Sequence, residues 1–355
     1  MSLTFITLIT AAALLAGGTV AGAQTVEVVA SGLDNPRGLA FAPNGDLYVA
    51  EAGSGGSEHC HVGPTGPRCF GTTGAITRID LRTGNVDVVV AGLPSLGDSG
   101  PNAPAGSSAS GPHHLGFQGV GNLYFTIGFG GEPALRSVIG PHAGTMAVVG
   151  RATPNGAFRV TADIGTFEES VNPDQDLPDS NPYGILVLPG KQIVADAGAN
   201  ALFEIRANGQ IRTLAVFDEL AGPPSRDAVP TGLAVGPDGA YYVGQLTGGP
   251  FATGIANIYR VPAEGGEPEV YASGFTNVVD LAFGADGSLY VLQIANPIPN
   301  FPEGALIRVA PDGTRTAIDV PLFAPGGIAI AKDGTIYVTI NSILPGAGQV
   351  LAIRQ

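Results

Sequence analysis

The chain has 355 residues, with 54 Gly, 29 Pro and only 13% charged side chains; this suits many short strands and tight turns and argues against long helices. Its formal net charge is −14, and residues 1–23 hold no charged side chain, so the whole imbalance belongs to residues 24–355. A surface of that sign repels nucleic acid and anionic lipid, which require basic patches, and makes cations or neutral molecules the more natural partners.

The N-terminus carries the apolar run FITLITAAALLA and then Ala21-Gly22-Ala23, the pattern of a secretory signal cleaved after residue 23. No Lys or Arg precedes the run, so only the terminal amine supplies positive charge there. The run is shorter than the roughly 20 apolar residues of a membrane span. Export to the periplasm, cell envelope or exterior is therefore expected, with no membrane span and with residues 24–355 as a single domain.

From residue 26 onward one phrase recurs six times: NPRGLAFAPNGDLYVAE (35–51), GPHHLGFQGVGNLYFTI (111–127), NPYGILVLPGKQIVAD (181–196), VPTGLAVGPDGAYYVGQ (229–245), NVVDLAFGADGSLYVLQ (277–293) and APGGIAIAKDGTIYVTI (324–340). Each copy reads as an innermost strand, a tight turn and a second strand. Third strands are expected at 75–80, 145–149, 201–206, 257–262, 305–310 and 350–354, with outer strands such as 86–93 and 269–275. Repeats of this size, each built on a hairpin, predict an all-β, six-bladed propeller of four-stranded antiparallel blades. The last copy stops after three strands, and VEVVASGL (26–33) stands alone at the start. Residues 26–33 are thus expected to complete the sixth blade and close the ring, hiding a sheet edge.

Gly38 and His114 lie 76 positions apart and His114 and Gly184 lie 70 apart, whereas later copies repeat every 47 or 48. The surplus falls in 52–74, 93–112 and 164–180, loop classes that share one face of a propeller. Long loops gathered on one face are where a scaffold carries function. The 93–112 stretch reads as a lid or an ordered cover, and the acidic 164–180 stretch (Glu168, Glu169, Asp174, Asp176, Asp179) as a solvated loop, since it fails the EF-hand pattern. Cys60 and Cys69, the only cysteines, favour a local disulfide in an exported chain; a thiolate–imidazole metal site with His59 and His61 is the alternative.

These motifs, with GAITRID, SNPYGILVLP and VADAGANAL, closely resemble the ScyD/ScyE family of secreted propeller proteins over essentially the whole chain after residue 23. More distantly they resemble NHL repeats and the group that holds strictosidine synthase and calcium-dependent lactonases. The ScyD/ScyE family often carries Glu where this chain has Gln245 and Gln293, which weakens carboxylate catalysis at those positions. Resemblance to the lactonase-like propellers implies a calcium held by one Glu, Asn side chains and one Asp, which Glu51, Asn181 and Asp196 imitate in part.

The six copies also serve as controls for one another. Pro recurs at 36, 112, 182, 230 and 325, fixing the chain as it enters the innermost strand. Two positions on, Gly38, Gly184, Gly232 and Gly327 indicate a crowded backbone, and His114 and Asp280 depart from glycine in two blades that face each other across a six-bladed ring. A His and an Asp looking into one channel can pair or share a ligand. Before the Pro stand Asn35, Asn181 and Asn277, either turn residues or amide ligands for a hard cation. Arg37 can hold an anion near the axis or pair with Asp34. Motifs for a serine nucleophile, a zincin or a nucleotide-binding loop are absent. The expected function is a ligand- or partner-binding scaffold, taking a small molecule or a protein on the long-loop face through Arg37, Glu51, His114, Tyr183, Asp196 and Asp280. The rival is a calcium-dependent hydrolase built on Glu51, Asn181 and Asp196.

Overall fold

A computed structural model describes residues 24–63, 66–140, 142–220, 226–294 and 303–355; the expected signal at 1–23 lies outside the described residues. Six antiparallel sheets form the ring. Their innermost strands are Pro36–Phe41, Pro112–Gln118, Pro182–Leu188, Pro230–Val235, Val278–Phe283 and Gly327–Ile330. Five of the six begin at the position of the Pro column.

A blade is packed on both faces, so its second strand must be apolar at successive positions rather than alternating. In Leu47–Glu51, Leu47 and Val49 pack with Leu33, Ala329 and Val350 of the sixth blade. Ala50, on the opposite face, packs with Leu115, Phe125 and Val148 of the second. With period two, one short strand thus serves two interfaces. Each fully buried Val or Leu contributes about 1.5–3 kcal/mol. The turns follow their sequence: Gly45 adopts φ 89° and donates to the Ala42 carbonyl, a conformation that favours glycine.

The expected ring closure is present. Thr25–Leu33 pairs antiparallel with Gly348–Arg354, from Thr25 opposite Arg354 to Leu33 opposite Gly348, and completes a four-stranded sixth blade. A Glu27–Arg354 ion pair at 2.9 Å fastens the outer edge.

Three segments differ from the sequence-based expectation. The 52–74 insertion is a hairpin that extends the first blade: Glu58–Gly63 pairs with Gly66–Asp80 and adds a fifth strand. Cys60 stands opposite Cys69 there and the two form a disulfide, so neither sulfur is a metal ligand. In the second blade the third strand is Val148–Ala152 rather than 145–149. Ala143–Thr145 closes a 3-10 turn and Ala147 takes φ 54°, which keeps the strand from starting earlier. The acidic stretch is not wholly a solvated loop: Ile164–Val171 is a helix whose Asp163 side chain accepts from Thr166 N, and Glu168 on it is fully buried.

Candidate functional site

The innermost strands crowd together where they enter the ring. A Cβ on Gly38 would lie 2.2 Å from His114 Cδ2, and one on Gly232 would lie 2.5 Å from Asp280 Cα, so glycine is required by close approach. Three threonines join alternate blades at this level: Thr126 Oγ1 donates to Tyr183 O at 2.6 Å, Thr231 Oγ1 to Val278 O at 2.7 Å, and Thr339 Oγ1 to Arg37 O at 2.8 Å. Asp280 continues the pattern from the fifth blade, accepting Ile328 N at 2.9 Å and Leu281 N at 2.9 Å.

The two departures from glycine meet. His114 Nε2 lies 3.6 Å from Asp280 Oδ2, with both side chains largely buried. His114 Nδ1 faces the Leu115 carbonyl at 3.1 Å. A carbonyl only accepts, so Nδ1 carries a proton and Nε2 is the ring nitrogen turned toward Asp280. The two side chains thus meet between the second and fifth blades.

Beside it, Arg37, His113 and Tyr183 come from the first, second and third blades. The His113 and Tyr183 rings lie 4.7 Å apart, centroid to centroid. His113 Nδ1 donates to Pro182 O at 3.2 Å. Burial, followed by the charge of Arg37, pushes its pKa down to about 3, so the ring is neutral and Nε2 is an acceptor. Burial raises the Tyr183 phenol above its usual range, against the opposing pull of Arg37. Arg37 donates through Nη2 to Ala109 O at 2.8 Å, while its buried Nε has no partner. Among the described residues no carboxylate is ion-paired with Arg37.

The 93–112 insertion covers this group. The strand Asn85–Asp98 carries it upward, and it then crosses to the sixth blade, where Ser108 N donates to Ile343 O at 3.0 Å. Arg68 ties it down through Leu96 O and Ser108 O, and Asn35 Nδ2 holds Gly106 O at 2.9 Å. It is an ordered cover. Besides Arg37 Nε, the buried Asn35 Oδ1, Ser107 Oγ and Ser342 Oγ lack protein partners along this seam.

The strand-end column has a different use. Glu51 accepts Asp34 N at 2.7 Å and the Thr77 hydroxyl. Asp196 accepts Asn181 N, Gly198 N, Ala199 N and the Ser180 hydroxyl. Gln245 takes Asn257 N and Gln293 takes Thr276 N. These side chains pin incoming loops to strand ends, a task for which Gln serves as well as Glu. Burial raises the Glu51 carboxyl, and burial pushes Asp196 up to about 6 against its four hydrogen bonds. Asn181 Oδ1 accepts Phe129 N at 3.1 Å. Asn35 and Asn277 adopt φ 47° and 48°, as residues at a left-handed turn do. The oxygens of Glu51, Asn181 and Asp196 are therefore engaged within or beside their own blades, and the set does not fit a shared calcium in this arrangement.

The repeat columns single out His114 and Asp280, whereas Arg37 stands out only as the residue heading the first blade's innermost strand and Tyr183 in no column. The repeat columns do not single out His113, because its pairing with Tyr183 crosses blades, which no single repeat reveals.

No family model matches the chain, and no curated protein matches it. Solved structures do. A streptogramin B lyase is 15% identical, with 93% of this chain and 98% of that one covered and a TM-score of 0.51. A gluconolactonase from Xanthomonas campestris is 10% identical, with coverage of 94% and 91% and a TM-score of 0.55. A glucose dehydrogenase is 14% identical, with coverage of 93% and 99% and a TM-score of 0.57. The chain is thus a six-bladed propeller of the architecture found in lyases, gluconolactonases and glucose dehydrogenase. Identities this low establish the fold alone. Among the described residues, no helix is long and apolar enough to cross a membrane.

Proposed function

We propose that this is an exported binding propeller of the ScyD/ScyE type, taking a small hydroxylated carboxylate or its lactone at the covered channel mouth. The observation that carries the reading is Arg37, a buried guanidinium with an unpartnered Nε and no carboxylate partner among the described residues. Buried donors of this strength are normally satisfied. Tyr183 and His113 supply adjacent aromatic rings tilted 37° to one another, and the neutral His113 ring offers Nε2 as an acceptor to a ligand hydroxyl. The overall charge of −14 disfavours polyanions, so a compact single anion or a neutral lactone suits the site.

The calcium-dependent hydrolase reading is weaker because Glu51 and Asp196 hold loop backbones. Gluconolactone separates the two, since proteins of this architecture include gluconolactonases. The expected result is saturable binding of gluconate without calcium-stimulated turnover of the lactone. Turnover that is abolished by chelator and by Glu51→Gln would favour the hydrolase.

A further inference from the structure

At the far end of the second blade's innermost strand from the channel mouth, a cleft of about 140 Å³ opens between the second and third blades. Gln118 ends the strand there, and its Nε2 donates to Leu188 O of the third blade at 2.9 Å. The turn after the third blade's third strand closes the cleft against the second blade's outer strand. Gly209 in that turn takes φ 83°, and a Cβ on it would lie 3.4 Å from Thr161 O. Arg151, Arg159 and Arg206 line the cleft, and no Asp or Glu does. Three guanidiniums without an acid run against the composition of a chain with 30 acidic and 16 basic side chains.

Strand pairing sets two of these charges against each other. Arg159 stands directly opposite Arg151 in the antiparallel register of Phe158–Asp163 with Val148–Ala152. Both side chains therefore leave the same face of the blade, where like charges repel. Arg151 is anchored: its Cζ lies 5.5 Å from the Tyr124 ring centroid, and Nη2 donates to Asn122 Oδ1. Among the described residues neither Arg151 nor Arg159 forms an ion pair, whereas Arg206 has Glu204 at 3.5 Å. Gln192 is a second, independent observation. It lines the cleft at 5% exposure, and its amide hydrogen-bonds no group among the described residues. Buried amides are ordinarily paired, and the open side here is the cleft.

We propose that this cleft binds a phosphoryl group, as free phosphate or as the end of a small phosphate monoester, through Arg151 and Arg159, with Gln192 supplying an amide donor. Two unpaired guanidiniums match the charge of about −1.5 to −2 that such a group carries at pH 7. Each planar fork presents paired N–H donors, and a tetrahedral group has enough oxygens to meet both forks at once, which a carboxylate has not. The bound group also removes the repulsion between the facing arginines. Charges elsewhere on the chain are screened beyond about 8 Å at physiological salt, so the local pair decides what enters. The site lies apart from the channel mouth and goes beyond the function proposed there.

The test is calorimetric titration of sodium phosphate and of glycerol phosphate into the whole exported chain at pH 7.5 in a chloride buffer. The parent should bind at least one of them saturably, with half-saturation below about 1 mM. Arg159→Met should weaken that binding at least about tenfold, the loss of a charge-assisted hydrogen bond. This variant is expected to melt no lower than the parent in phosphate-free buffer, because a facing like charge is gone, so lost binding is not lost folding. Arg82→Met, the same change at an exposed arginine paired with Asp80, should bind as the parent does. Tighter binding of free phosphate assigns the cleft to the ion, and tighter binding of glycerol phosphate assigns it to the monoester; both uphold the proposal. No saturable binding of either below about 1 mM overturns it. So does an Arg159→Met variant that binds like the parent, or an Arg82→Met variant that loses as much as Arg159→Met.

Discussion

Glu168 makes the protein lose stability as pH rises through neutrality, the reverse of what salt-bridged acids do. Its carboxyl moves from 4.5 up to about 8 in the fold, first through burial and then through Asp196, Asp174 and Asp179. Between those two values the native state holds a proton that the unfolded chain has released, so stability is full below about pH 4.5 and is lost on the way to pH 8. His113 acts oppositely: held neutral with a pKa of about 3, it costs stability only where the unfolded ring would be protonated, below about pH 6.5. The interval from pH 6.5 to 8 therefore isolates the carboxylates. Across it Glu168 alone costs about 1.5 kcal/mol, at 1.36 kcal/mol per unit, and Asp179, with its pKa of about 7, adds to this. For a domain this large, a loss of that size lowers the melting temperature by roughly 3 °C. The assay is calorimetric melting at pH 6.5 and 8.0, for the parent and for Glu168→Gln. A parent melting temperature that holds or rises over this interval would refute the reasoning, as would an equally steep fall in Glu168→Gln.

Further outcomes follow from the ring and the channel mouth. Leu33→Ala, at a residue 4% exposed in the closing strand, should cost about 2–4 kcal/mol in denaturant unfolding; a cost near zero would mean that residues 25–33 do not close the ring. Gly38→Ala drives a methyl into His114 Cδ2 and should cost about 1–3 kcal/mol while displacing His114 from Asp280, visible as a shifted imidazole NMR signal. His114→Gln, Asp280→Asn and the double variant should show a coupling of about 0.5–3 kcal/mol in unfolding; strict additivity would deny the contact.

The architecture was legible because the repeat is internal. Six copies repeat the same strand-turn-strand grammar, and a lone first strand beside a three-stranded last blade leaves one economical pairing, Thr25–Leu33 with Gly348–Arg354. The same columns revealed the channel mouth, since His114 and Asp280 break a glycine rule that packing enforces. Insertions carry no such control. The hairpin at 58–80, the helix at 164–171 and the short turns at 133–145 each occur once. Their conformation depends on contacts such as Arg136 with Asp163 and Thr166, which no repeat comparison exposes. For that reason Glu168 reads as a solvated acid in the sequence and proves to be buried.

The binding claim rests on Arg37, and calorimetric titration of gluconate into the parent and into Arg37→Met tests it most directly. Met keeps the apolar bulk of the stem while removing the guanidinium. The account predicts saturable binding by the parent and a loss of at least about tenfold in the variant, as expected for a buried charge-assisted hydrogen bond. No saturable binding by the parent, or equal affinity in Arg37→Met, would contradict it.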